Sequence, residues 1–123
     1  MNDEKPAFVQ IIEMIEDDIL RGTYAVDDLI ISTPQISKLL SVNPATAQRA
    51  ITVMTDRGML YKKRGVGMAV TAQAREMILA QRRKAFFERA VPDFIGSARK
   101  IGVTDNELVS ILTVAMAKED HPQ

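Results

Sequence analysis

Apolar residues recur at helical spacing near the start of the chain and again in its middle. The first set, on one face of a predicted helix over residues 6–21, is Phe8, Ile11, Ile12, Ile15 and Ile19. Gly22 follows, at the position where helices commonly end. The acidic residues expected on the outer side are Glu13, Glu16, Asp17 and Asp18. The pattern predicts an amphipathic helix that packs against a core.

Residues 22–40 predict a short strand and a second helix. Leu29-Ile30-Ile31 is apolar, mostly β-branched and too brief for a helix, so it predicts an edge strand. Ser32-Thr33-Pro34 places hydroxyl residues before a proline, which is a start signal for a helix over residues 34–40. The residues that this short helix is expected to bury are Ile36, Leu39 and Leu40.

A third helix, over residues 43–57, has two chemically different faces. Asn43 is a good N-cap residue, and Pro44 suits the first helical position, where an N–H is not needed. The predicted inner stripe is Ala47, Ala50, Ile51 and Met54. The exposed face is small and polar, with Ala45, Thr46, Gln48, Arg49 and Thr52. Because Ser41-Val42 links this helix tightly to the preceding one, the pair forms a helix-turn-helix pattern that could enter a DNA major groove.

A basic hairpin is predicted directly after these helices. Residues 59–63 alternate between apolar and polar, Arg64-Gly65-Val66-Gly67 is a turn, and residues 68–71 can return as a second strand. A basic hairpin in this place is the wing of a winged-helix domain. The two glycines could also begin a phosphate-binding loop, but the third glycine and the Lys-Ser/Thr pair of that motif are missing.

The remaining residues predict further helices. A long helix over residues 72–90 is expected to turn Met77, Ile78, Ala85 and Phe86 inward, and Pro92 to kink or break it. Thr104-Asp105-Asn106-Glu107 is a capping box that starts a last helix near residue 105, apolar nearly all round. The tail, residues 118–123, is expected to fray.

These last helices carry more apolar residues than a small domain can cover. The residues expected to pack across a two-fold axis are Phe86, Phe87, Phe94, Leu108, Ile111, Leu112 and Met116. A homodimer built on them would place two reading helices about 34–36 Å apart, one turn of DNA. A monomer with a compact C-terminal cap is the alternative.

Charge is distributed unevenly although its sum over 123 residues is zero. Residues 33–90 hold eleven basic and three acidic residues, whereas both flanks are acidic. This asymmetry favours a polyanionic partner, with a solvated face as the alternative for part of it, notably for Arg82, Arg83 and Lys84. Without a cysteine, a long apolar run or a signal-like N-terminus, the sequence predicts a cytoplasmic protein with no membrane contact.

Catalytic chemistry finds little support. The sole histidine, His121, lies in the tail, and the acidic pairs Asp17-Asp18 and Asp27-Asp28 lack the spacing of a metal-binding loop. We therefore predict that the chain is not an enzyme and has no catalytic residues, metal site or cofactor.

Over residues 6–71 the chain resembles the GntR family of bacterial transcription regulators. The marks are Ile19-x-x-Gly22, Val42-Asn43-Pro44-x-Thr46, Gly58-Met59-Leu60 and Arg64-Gly65-x-Gly67 before Val70-Thr71. The short remainder is similar to the YtrA-type subfamily, which carries a small helical dimerisation region. The resemblance implies a dimeric repressor bound to a palindromic double-stranded operator, often that of a transporter operon and its own gene. Residues 72–123 are expected to be too few for a roomy pocket within one subunit, so that a small-molecule effector could bind only in a small site at the dimer interface.

One departure concerns the start of the second helix. Pro34 stands where the family commonly has an arginine that touches DNA, which shifts expected phosphate contacts toward neighbouring side chains. The full set predicted to bind DNA is Ser32, Thr33, Lys38, Asn43, Ala45, Thr46, Gln48, Arg49, Thr52, Lys62, Lys63, Arg64 and Gly65. Within it, Gln48 suits adenine, Arg49 suits guanine or a phosphate, and the wing suits the minor groove or the backbone.

The predicted fold is mainly α with a small β-hairpin. It comprises a winged helix-turn-helix DNA-binding domain over residues 1–71 and a short helical dimerisation region over residues 72–123. The alternative function is a winged-helix module that binds protein and has no specific affinity for DNA.

Overall fold

Helices and one hairpin follow each other in the predicted order. The computed structural model describes residues 4–119, so that residues 1–3 and 120–123, which include His121 and most of the predicted frayed tail, lie outside it. The helices are α1 (Ala7–Arg21), α2 (Thr33–Leu40), α3 (Pro44–Asp56), α4 (Ala74–Ala85), α5 (Val91–Lys100) and α6 (Asp105–Glu119). The strands are β1 (Leu60–Lys63) and β2 (Gly67–Val70). The predicted mainly α class with one hairpin is confirmed.

The chain divides into two compact units, one ending at Gln81 and the other starting at Arg82. The division lies within α4, whereas the sequence placed a functional boundary between residues 71 and 72; that assignment stays a prediction. The first unit has a closed core in which the apolar stripes of its helices meet the hairpin. Its most deeply buried large side chains are Ile11, Ile15, Ile36, Met54, Met59, Leu60, Val70 and Ile78.

Two predicted positions in the first unit are wrong. Glu16 is buried, although we expected it on the outer side of α1, because it lies one turn from both Ile12 and Ile19. Leu39 is 66% exposed, although we expected it in the core. Since α2 has only eight residues, only the line from Ile36 to Leu40 turns toward the core.

The hairpin pairs Leu60 with Val70 and Lys63 with Gly67 in antiparallel register. The predicted edge strand contributes a single bridge, between Leu29 and Ala69. This bridge is flanked by backbone hydrogen bonds from Ile30 N–H to Met68 O, at 2.9 Å, and from Val70 N–H to Asp28 O, at 3.1 Å. The residues before α2 therefore run along one edge of the wing.

In the second unit the predicted break at Pro92 takes another form. A π-helical turn, Phe86–Ala90, connects α4 to α5, and Val91 N–H donates to Phe86 O. The wider turn continues the helix into α5, whose first turn holds the proline. The predicted inward orientation of Ala85 and Phe86 is wrong, because both side chains are exposed on this continuous helix.

The last helix starts as predicted. Glu107 N–H donates to Thr104 Oγ1, and Thr104 N–H donates to Glu107 Oε1, both at 3.1 Å. Arg99 and Asp105 form two hydrogen bonds of 3.1 and 3.0 Å next to this cap. None of the residues Asp105–Glu119 is buried.

Candidate nucleic-acid interface

A tight turn joins α2 to α3. Ser41 takes up a left-handed conformation with φ 53°, and Val42 N–H donates to Ser37 O at 3.1 Å. The Ser37 hydroxyl donates back to Val42 O at 2.6 Å, while the Val42 side chain packs against the core. This geometry holds the two helices in a helix-turn-helix.

Two of the predicted DNA-binding residues cap these helices. Ser32 Oγ accepts from Gln35 N–H at 3.3 Å, and Gln35 Oε1 accepts from Ser32 N–H at 2.9 Å, which completes a capping box. Asn43 Oδ1 accepts from Ala45 N–H at 2.8 Å. The side chains of Ser32 and Asn43 thus act as N-caps and stabilise the first turns of α2 and α3. Their contact with DNA stays a prediction.

The outer face of α3 brings several predicted residues together. Ala45, Gln48, Arg49 and Thr52 are exposed and Thr46 is half-buried. Gln48 is hydrogen-bonded on both sides, to Thr33 from α2 and to Thr52 from its own helix. The sequence placed all three residues in one site but did not predict that they touch.

Arg49 packs onto an aromatic ring of α1. Its guanidinium carbon lies 3.8 Å from the centroid of the Phe8 ring, which is a close cation–π arrangement. We predicted only a packing role for Phe8 and missed this pairing. No local signal could have found it, because the two residues meet only when α1 packs on α3.

The basic side chains of the wing differ in their contacts with the rest of the protein. Lys62, Arg64 and Gly65 are exposed, and Gly65 has φ 74°, in the region that favours glycine. Lys63 Nζ lies 3.4 Å from the carbonyl oxygen of Asp27. The tip of the wing is therefore exposed and basic, whereas Lys63, at the end of β1, is hydrogen-bonded to the loop before α2.

We considered Asp27 in the sequence only as part of an acidic pair and predicted no contact with the wing for it. Its Oδ1 accepts from the Tyr61 hydroxyl at 2.8 Å. This hydrogen bond, with partial desolvation and the nearby carboxylate charge, raises the pKa of Tyr61 above its usual value. The contact ties the loop before α2 to the first strand of the wing.

Two other basic residues, Lys38 and Arg75, belong to α2 and α4. Lys38 is exposed on the last turn of α2. Arg75 Nη1 donates to Leu20 O at 2.6 Å and so fixes the start of α4 to the end of α1.

The apolar residues predicted to dimerise share the second unit with an open groove. Exposed fractions are 54% for Phe86, 57% for Phe87, 49% for Phe94, 59% for Ile111 and 60% for Met116, while Leu108 and Leu112 are half-buried. The groove has a volume of about 770 Å³ and is lined by residues of α5, α6 and the π-helical turn. The expectation of no roomy site on one subunit is therefore wrong, because the helices of this unit leave their apolar faces apart.

Within residues 4–119, no group of three histidine, cysteine or carboxylate residues could hold a metal ion. The same residues include no helix that is both long and apolar enough to cross a bilayer.

Comparison with known proteins adds to this geometry. A GntR-family transcriptional regulator from Listeria monocytogenes has the same fold over 92% of this chain and 97% of its own, with a TM-score of 0.69 and 26% identity. For a GntR-family protein from Bacteroides thetaiotaomicron the shares are 91% and 98%, the TM-score 0.74 and the identity 26%. These neighbours are GntR-family transcription regulators.

A third neighbour was solved on DNA. The DNA-binding domain of AraR, in complex with operator ORR3, matches 54% of this chain and 80% of its own, with a TM-score of 0.51 and 27% identity. No protein-family model and no curated protein matches the sequence. The neighbours confirm the predicted winged-helix fold, and as transcription regulators they agree with the prediction that the chain is not an enzyme.

Proposed function

We propose that this chain is a GntR-family transcription regulator that binds double-stranded DNA in a sequence-specific way through α3 and the wing. The observation that carries the proposal is the match between its winged-helix fold and a domain solved on operator DNA. The exposed polar face of α3 and the basic wing tip add the chemistry that such binding needs.

In this proposal α3 and the wing contact different parts of the DNA. Gln48 and Thr46 belong to the helix expected in the major groove and read base edges. Arg49, whose guanidinium lies over the Phe8 ring, contributes positive charge near the DNA phosphate backbone. Lys62 and Arg64 on the wing bind phosphates or the minor groove, and they supply much of the affinity because Pro34 replaces a DNA-binding arginine of the family.

The active form in this proposal is a homodimer on a palindromic operator. Its support is the second unit, where five of the seven residues predicted to dimerise are exposed, two are half-buried, and an apolar groove is open in one chain. A two-fold interface would bury these faces and pair two copies of α3. The small size of this unit, and solved neighbours of almost the same extent, favour the YtrA-like subfamily.

Repression follows from occlusion of a promoter by the bound dimer, with a transporter operon and the regulator's own gene as candidate targets. A small-molecule effector would act from a small site at the dimer interface, where the apolar groove meets the partner subunit. Its action would be to change the distance between the two reading helices.

A mobility-shift salt series tests DNA binding against the protein-interaction alternative. We expect wild-type protein to shift random duplexes weakly and selected ones strongly, both less at higher salt. Arg64→Ala should weaken binding to every duplex alike and reduce the slope of log affinity against log salt by about one. A protein that shifts no duplex at any salt concentration is not a DNA-binding regulator.

Arg83→Ala provides the matched control. Arg83 lies in the second unit, with its guanidinium carbon 5.5 Å from the centroid of the Phe87 ring. Its removal should leave the salt slope unchanged. If both substitutions reduce the slope of log affinity against log salt equally, the wing makes no specific contribution to DNA binding.

A further inference from the structure

Gln48 is the centre of a hydrogen-bonded chain that links two helices. Thr33 Oγ1 donates to Gln48 Oε1 at 3.1 Å, and Gln48 Nε2 donates to Thr52 Oγ1 at 3.2 Å. Thr52 lies one turn further along α3, whereas Thr33 belongs to the first turn of α2. Hydroxyls from two different helices therefore hold the carboxamide at its oxygen and at its nitrogen.

Thr33 is well placed to serve as the fixed end of this chain. It follows Ser32, whose reciprocal capping box with Gln35 sets the backbone at the start of α2. Its side chain is half-buried and β-branched, so few χ1 rotamers are open to it. The hydroxyl thus acts from a rigid position on the neighbouring helix.

The chain leaves Gln48 with a specific hydrogen-bonding capacity. A carboxamide has two N–H donors and two acceptor sites, and each of the two bonds uses one of them. One donor and one acceptor remain on an exposed side chain. Adenine offers the complementary pair in the major groove, its N7 acceptor and its N6 donor.

Fixing this side chain before binding changes how well it discriminates. A freely rotating glutamine can turn its donor or its acceptor toward a base and so accommodates several base pairs. A glutamine held at both ends presents one arrangement and has already lost its rotamer freedom.

We propose that Thr33 is a positioning residue for base recognition, whose hydroxyl orients Gln48 to read one A·T pair in each half-site. The inference rests on the proposed DNA-binding function and assigns Thr33 a role other than the phosphate contact expected from the sequence. The proton of its hydroxyl is directed at Gln48, so Thr33 acts through that residue.

The test measures affinity for four duplexes that differ only at the base pair under Gln48. Gln48→Ala in wild-type background first identifies that pair, as the position where preference is lost. Thr33→Val should then reduce discrimination there by roughly two- to tenfold, the range of one neutral hydrogen bond, with little change elsewhere in the site. Thr33→Ser should restore the preference, since it keeps the hydroxyl.

A double variant and a matched control separate positioning from direct contact. Adding Thr33→Val to Gln48→Ala should cause no further loss of discrimination or affinity. Thr55→Val removes a hydroxyl of α3 that donates to Ile51 O, at 2.7 Å, and should leave the base preference unchanged. If Thr33→Val weakens all four duplexes alike, and equally in the Gln48→Ala background, Thr33 binds phosphate directly and the proposal is wrong.

A measurement without DNA distinguishes this proposal from the proposed function. In the free protein, Thr33→Val should shift the side-chain amide resonances of Gln48 and speed their hydrogen exchange, whereas Thr55→Val should not. Unchanged resonances would overturn the hydrogen bond, whatever the protein binds. Shifted resonances in a protein that binds no duplex would keep the contact but reject both the reading role and DNA binding.

Discussion

The two units of this chain use apolar residues in opposite ways. The first closes its isoleucines into a core, with Ile11, Ile15 and Ile36 at 0% exposure. The second leaves Ile101, directly after α5, at 79% and Val109 of α6 at 64% exposure. The same residue types therefore form a closed core in one unit and an exposed apolar surface in the other.

The largest difference should appear in matched isoleucine truncations. Ile36→Ala opens a cavity in the closed core and should lower the free energy of unfolding by roughly 2–5 kcal/mol. Ile101→Ala removes an exposed side chain and should cost less than about 0.5 kcal/mol. Urea denaturation of both variants gives the comparison, and equal losses would mean that Ile101 is buried in the native assembly.

The next largest difference between the two units should appear when a charge is introduced into each of them. In the proposed homodimer, Phe94→Lys would place two ammonium groups in the apolar interface and should weaken self-association at least about tenfold. Val66→Lys introduces the same charge at a side chain that is 61% exposed in the first unit and should not affect association. Sedimentation velocity over a concentration series measures both. A wild-type protein that stays monomeric would favour the compact-cap alternative.

The smallest effect concerns the tie between Tyr61 and Asp27. Because the pKa of Tyr61 is raised in the folded state, its contribution to stability is present below the unfolded value of about 10 and is lost as pH rises through the folded pKa. Tyr61→Phe and Asp27→Asn should both flatten this alkaline loss. Urea midpoints between about pH 9 and 11 measure it, and curves parallel to wild type would show that the hydrogen bond is absent in solution.

Local patterns predicted most of the fold. Helices α1 and α3, their caps and the hairpin follow from periodicity and turn residues, which act within a few positions of the chain. Leu39 and Glu16 were misplaced because the width of a buried face depends on which elements pack against it. The π-helical turn before Pro92 was missed since periodicity does not distinguish it from an α-helix that breaks.

The candidate site was predictable as a set of residues and not as a set of contacts. Asn43, Gln48 and the wing residues carry recognisable local signals. The bonds from Thr33 to Gln48 and from Arg49 to Phe8 join residues of different helices, so only their packing reveals them. Those contacts determine how the side chains of Gln48 and Arg49 are oriented on the exposed face of α3.

The most direct test of the central claim is in vitro selection of duplexes from a random pool by the wild-type protein. We predict enrichment of an inverted repeat whose half-sites are centred about 10 base pairs apart, the spacing that two α3 helices of a dimer would read. Each half-site should contain one A·T pair that Gln48→Ala no longer selects. A pool that remains random, or bound sequences without two-fold symmetry, would contradict the account.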